Sequence, residues 1–239
     1  MRIAFFDCFS GICGDMILGA FFDLGLDLSF FKTEMEKLDI SGYKIDVKKA
    51  EINGYKASDV YINIKDSQPP RTFMDIKQLI ENSNLNEKVK ELSMRIFHRL
   101  AVAEGKVHKT PVEKVHFHEV GAVDSIIDIV GSAIGIEKLG IKQVYSSELP
   151  LGSGFVKCEH GLLSVPVPAT RELLKGIPVY QTDRKQELIT PTGAAFISTV
   201  AKGFGNIPNM KIIKTGYGKG KKEGDTPPIL KIVLGEINI

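Results

Sequence analysis

Apolar and polar positions along the chain divide it into a strand-and-helix opening, a helix-rich middle and a strand-rich end. Residues 2–6, apolar from Ile3 onward, read as a buried strand, and residues 7–14 are a small-residue turn. A helix follows over 15–24, with Met16, Leu18, Ala20, Phe21 and Leu24 available for packing. Ser29 is positioned to cap a second helix running to Leu38. Residues 43–52 and 57–64 flank Asn53-Gly54, the favoured type I′ connection, and so predict a hairpin. Helices are expected over 72–80 and 86–107, the second carrying Val89, Leu92, Ile96, Leu100 and Ala103 in step, with His98 packing beside that face.

From Ala122 to Leu139 the apolar positions Val123, Ile126, Ile127, Val130 and Ile134 recur at three- and four-residue steps, the mark of a buried helix face. Strands then dominate: 143–149, 154–159, 161–165 and 187–190, with short helices over 169–174 and from Pro191. Two last strands, 210–215 and 229–234, enclose a loop expected to be flexible and basic, where Lys219, Lys221 and Lys222 read as solvated charges or, as the minority reading, as contacts for a substrate phosphate. The pattern predicts an α/β or mixed α+β fold, a mixed sheet with packed helices. Pro69-Pro70 suggests a linker, dividing the chain into an N-terminal α/β subdomain with the hairpin, 1–66, and a larger α+β subdomain, 72–239.

Composition narrows the function. The 239 residues are 43% hydrophobic and 25% charged, ordinary for a globular protein. Lys+Arg of 31 against Asp+Glu of 29 leaves +2, without the basic stripe that tracks a phosphate backbone, so nucleic acid is not an expected partner. No run approaches the ~18 apolar residues of a membrane span. Cys8, Cys13 and Cys158 are an odd number without C-x-x-C spacing, which argues for a reducing cytoplasm. The opening is too short and too soon charged for a signal peptide.

Candidate chemistry concentrates in residues 116–128, where His116, His118, Glu119, Asp124 and Asp128 run into that apolar helix. His116 and His118, two apart, project to one side of an extended backbone. Asp124 and Asp128 sit one turn apart, and Gly131 and Gly135 continue their stripe, which suggests close approach by a ligand or another backbone. The cluster reads as a metal or substrate site; the alternative is a capped helix whose first-turn acid offsets the dipole. Residues 8–15, after the first strand, have the geometry of an anion cradle, or of a plain tight turn. Cys13 is a soft metal ligand or a buried thiol. His160, on a turn, is a further ligand candidate. Thr190 caps the helix from Pro191, whose free N–H groups suit a phosphate or carboxylate.

Five stretches together carry a resemblance: 7–16, His116-Phe117-His118-Glu119-Val120-Gly121-Ala122-Val123-Asp124-Ser125, 149–154, His160-Gly161 with Pro166-Val167-Pro168-Ala169, and Thr190-Pro191-Thr192-Gly193-Ala194-Ala195. In order and spacing they resemble the nickel-insertion family that matures the lactate racemase cofactor. That resemblance implies a nickel chelatase (a lyase) that places nickel into a pyridinium bis-thiocarboxylate mononucleotide, using CTP with magnesium or manganese. It implies His116, His118 and His160 as nickel ligands and Glu119, Asp124 and Asp128 as ligand or base; the Cys13 thiol is an added ligand candidate of this chain's own. It also implies Asp7, Ser10, Gly11, Gly14, Asp15, Thr190, Thr192 and Gly193 as substrate contacts.

Three departures from the family pattern stand out. Cys13 replaces the usual Ser, and Gln68-Pro69-Pro70-Arg71 lacks the usual His-rich loop. The chain also stops at Ile239, before the second domain to which the family assigns CTP. The expected partners are the mononucleotide, a polypeptide supplying that domain or lactate racemase, and a second copy of the chain as a homo-oligomer. Two other classes fit the same cluster: a metal-dependent phosphohydrolase, or a non-catalytic nickel metallochaperone.

Overall fold

The computed structural model describes residues 1–65, 71–117, 123–158, 161–221 and 227–237. The expected strand β1 (Arg2–Asp7) lies inside a seven-stranded mixed sheet. It pairs antiparallel with β11 (Ile229–Glu236) and parallel with β4 (Gln143–Ser146). Ile3, Ala4, Phe5 and Phe6 are all buried, which is why this segment is apolar without alternation.

The hairpin strands β2 (Tyr43–Ile52) and β3 (Tyr55–Ile64) form one edge of the same sheet, turning at Asn53 (φ 50°) and Gly54 (φ 81°) as a type I′ turn requires. β3 joins the rest by pairing parallel with β10 (Lys211–Lys219), itself antiparallel to β11. The order is β2-β3-β10-β11-β1-β4-β9, with β9 at Ala201–Phe204. Strands from 1–66 and from 72–239 therefore share one sheet.

The helices also follow the apolar pattern. α1 (Gly14–Leu24) lies across β3 and β10, and glycine permits the approach: a Cβ on Gly218 would come 1.8 Å from the Met16 carbonyl oxygen, and one on Gly19 would come 2.4 Å from that of Ser58. α4 (Glu87–His108) and α5 (Val123–Lys138) pack together, α5 also against α1. α3 (Phe73–Glu81) starts with the Thr72–Asp75 capping box, and α7 (Pro191–Val200) starts as expected with Pro191 at its first turn and Thr190 as cap.

Several local expectations change. α2 (Leu28–Met35) is capped by Asp27, whose carboxylate accepts the Phe30 N–H at 2.8 Å, and not by Ser29. Residues 187–190 are no regular strand; only an isolated Ile12–Ile189 bridge forms there. Gly216, Gly218 and Lys219, expected in a flexible loop, belong to β10. Gly131 and Gly135 meet Phe31 and Phe21 side chains, so these glycines serve helix packing, not a ligand. The late region holds two small sheets, β5 (Leu149–Leu151) with β8 (Val179–Gln181) and β6 (Phe155–Cys158) with β7 (Gly161–Ser164), and the helix α6 (Pro168–Leu173). Among the described residues no helix is long and apolar enough to cross a membrane.

Candidate functional site

The turn after β1 is sewn to residues 188–193 by backbone contacts. The Ile12 N–H donates to the Leu188 carbonyl at 2.9 Å, and the Thr190 N–H donates back to the Ile12 carbonyl at 3.3 Å. Gly11 has φ +99°, and a Cβ there would lie 2.0 Å from the Leu188 oxygen; one on Gly193 would lie 2.2 Å from that of Ile12. Both glycines are thus required by backbone packing. Arg184 steadies the turn, its Nη1 donating to the Phe9 carbonyl at 2.9 Å. The result brings the start of α1 beside that of α7.

An acidic group fills the space between them. Asp128, on α5, lies against the first residue of α1: a Cβ on Gly14 would meet its Oδ2 at 2.1 Å. Its Oδ1 is buried and has no hydrogen-bond partner. Burial, then the charges of Asp15 and Asp124, pushes the Asp128 carboxyl well above its ordinary 3.8. Asp15 Oδ1 accepts the Cys13 thiol at 2.7 Å and the Met16 N–H at 2.8 Å, yet burial still raises its pKa. Cys13 is raised well above 9.0, by burial and then by Asp15. This thiol is therefore a proton donor, and ligating a metal through it would release a proton. Asp124, one turn earlier, is exposed, with Oδ1 accepting the Ser125 N–H at 2.8 Å.

These residues line a cavity of about 240 Å³ with Ser10, Thr190, Thr192, Gln186, Glu187 and Lys221. The Ser10 side-chain hydroxyl is buried without a partner. Of the lining residues, Lys221 is held by Asp59 of β3. The buried Asp59 carboxylate also accepts Lys219 Nζ and the Tyr61 hydroxyl, each at 2.9 Å. Burial pushes that carboxyl up, but the hydrogen bonds from Lys221, Lys219 and Tyr61 outweigh it and hold the group below its ordinary value. The cavity lining thus combines the carboxyl groups of Asp15, Asp124 and Asp128 with the Lys221 ammonium, whose charge also acts on Asp15.

Ser10, Cys13, Gly14, Asp15, Asp124, Asp128, Thr190 and Thr192 thus come together from distant parts of the chain. Asp7 stands apart, with Oδ2 3.1 Å from Lys231 Nζ. His116 is exposed and forms an isolated bridge with Thr72, beside the α3 capping box. His118, Glu119 and His160 lie outside the described residues. Among the described residues no three His, Cys, Asp or Glu side chains are grouped to hold a metal ion.

A larger groove, about 830 Å³, runs between α3, α4 and α6 and includes Phe73, His98 and Glu172. His98 meets Phe73 edge-on at 5.9 Å there, the packing role expected of it. That groove holds none of the candidate residues named above, so size does not mark the site. Asp59, Arg184 and Gln186 escape a sequence reading. Asp59 alone carried a signal, an acid in mid-strand where acids are depleted.

A family model described as nickel insertion protein matches residues 4–238. The chain belongs to the nickel insertion protein family. A Dictyoglomus thermophilum protein named for nickel insertion is 48% identical over 237 residues, covering 99% of this chain and 61% of its own length. The pyridinium-3,5-bisthiocarboxylic acid mononucleotide nickel insertion protein of Desulfitobacterium hafniense (strain DSM 10664 / DCB-2) is 44% identical over 237 residues, 99% of this chain and 59% of its own. The chain spans about three-fifths of the length of these curated relatives. No solved structure matches it.

Proposed function

We propose that the cavity between Ser10, Asp15 and Asp128 is the substrate pocket of a nickel chelatase (a lyase) that inserts nickel into a pyridinium bis-thiocarboxylate mononucleotide. The observation carrying this reading is the pair of buried, unpartnered polar atoms, Ser10 Oγ and Asp128 Oδ1, on the walls of one cavity. Buried polar atoms without partners cost stability, and a ligand that pairs them recovers it. Asp128 is set to act as the base: as the nickel–carbon bond forms, the ring proton passes to its carboxylate, whose raised pKa suits it to take a proton near neutral pH. Asp15, Asp124 and Glu119 stand in reserve for the same role or as ligands.

Nickel, a substrate here, falls to His116, His118, His160 and Cys13, imidazole and thiolate being suited to a borderline-soft, exchangeable ion. CTP with magnesium or manganese belongs, on this reading, to the part of the relatives' length that this chain does not cover. The partner would be a polypeptide supplying that part, the product would go to lactate racemase, and the setting would be cytoplasmic.

The test supplies nickel, CTP, manganese, the mononucleotide and the remaining region of the Desulfitobacterium relative, and follows metallation by absorbance. Asp128→Asn should slow insertion about 10²- to 10⁴-fold, and Ser10→Ala should weaken substrate binding. Unchanged insertion by Asp128→Asn would sink the assignment of the base.

A further inference from the structure

We propose that Lys221 is the phosphate subsite of this pocket and that Asp59 is the residue that positions it; the inference rests on the mononucleotide reading above. Two ammonium groups, Lys219 and Lys221, converge on the single carboxylate of Asp59. Asp59 is only 2% exposed in its side chain, whereas Lys221 is 43% exposed. The carboxylate is the fixed end of the contact, and Lys221 is the end that lines the cavity. Tyr61 completes the mount: its hydroxyl donates to Asp59 at 2.9 Å, and the Lys221 ammonium lies 3.7 Å from its ring centroid.

The other candidate anion cradle is less free. Gly193 N–H already donates to Thr190 Oγ1 at 3.2 Å, and Gly11 and Gly193 are closed by backbone. Asp15 and Asp128 occupy the start of α1, where a second anion would meet like charge. Charge therefore places the phosphate on Lys221, a cation that lines the cavity.

The experiment titrates the chain with nicotinate mononucleotide and with nicotinate riboside, which differ by the phosphate alone. Wild type should prefer the mononucleotide by about 10- to 100-fold, the worth of one charge-assisted contact. Lys221→Met should erase that preference while leaving riboside affinity unchanged. In wild type the preference should grow through about pH 6, as the phosphate takes its second charge, and it should stay flat in Lys221→Met.

Asp59→Asn separates positioning from charge. By charge alone, removing the carboxylate raises the local positive charge and strengthens mononucleotide binding. Positioning predicts weaker binding, no further loss when combined with Lys221→Met, and recovery in Asp59→Glu. A preference that survives Lys221→Met, or that rises in Asp59→Asn, overturns the proposal. Wild type that binds neither compound overturns the pocket reading, and the subsite with it.

Discussion

Asp128→Asn should make this protein more stable at neutral pH while disabling it. The Asp128 carboxyl is raised well above 3.8, first by burial and then by Asp15 and Asp124. Between its unfolded and folded pKa values the native state binds more protons than the unfolded chain. Stability therefore falls as pH rises through that window, and the group costs nothing only below the unfolded value. The slope is at most about 1.4 kcal/mol per pH unit for one proton. Asparagine does not titrate, so the stability difference between variant and wild type should open above about pH 4 and widen with pH by no more than that slope. For a chain of this size each kcal/mol gained raises Tm by roughly 2–4 °C. Residual titration of Asp15, raised by its own burial, lowers the realised gain. With no tryptophan in the sequence, urea unfolding followed by far-UV circular dichroism from pH 4 to 7 is the suitable assay. A difference that stays flat across that range, or an asparagine variant less stable at pH 7, would refute the raised pKa of Asp128. A variant that is more stable yet inactive would show that the lost activity is not lost folding.

Two other substitutions and one labelling experiment test the packing. Gly218→Ala puts a Cβ 1.8 Å from the Met16 carbonyl and 2.5 Å from the Ala20 nitrogen, both backbone atoms. It should cost at least ~1–3 kcal/mol, read as a lower urea midpoint; an unchanged midpoint would mean that α1 does not sit so close to β10. Thr72→Ala removes the α3 capping box and should cost about 1 kcal/mol in the same assay. Burial pushes the Cys8 thiol up to about 12, and Cys13 is also raised, so iodoacetamide at pH 8 should rapidly label only Cys158 in the native chain and all three after unfolding. Fast labelling of two or more native thiols would contradict that burial.

Much of this protein is legible locally. The apolar run of β1, the Asn53-Gly54 turn, the three- and four-residue steps of α4 and α5 and the cap at Thr190 all follow from short-range backbone chemistry, and the structure has each of them. Local chemistry together with the family resemblance nominated eight residues that line one cavity. The local pattern missed Asp27 as a cap, where two residues competed within one turn.

What the sequence by itself determined, then, is which segments are strands and helices and which side chains carry unusual chemistry, since both depend on neighbours along the chain. Only the tertiary structure decided that β3 lies parallel beside β10, which brings Asp59 to Lys221 across 162 positions of sequence. It alone decided that Gly131 and Gly135 receive Phe31 and Phe21, and that Asp128 lands on Gly14. Periodicity records that a face is buried, but not what it is buried against. Strand order and register are set by the joint packing of both sheet faces, which no local window contains.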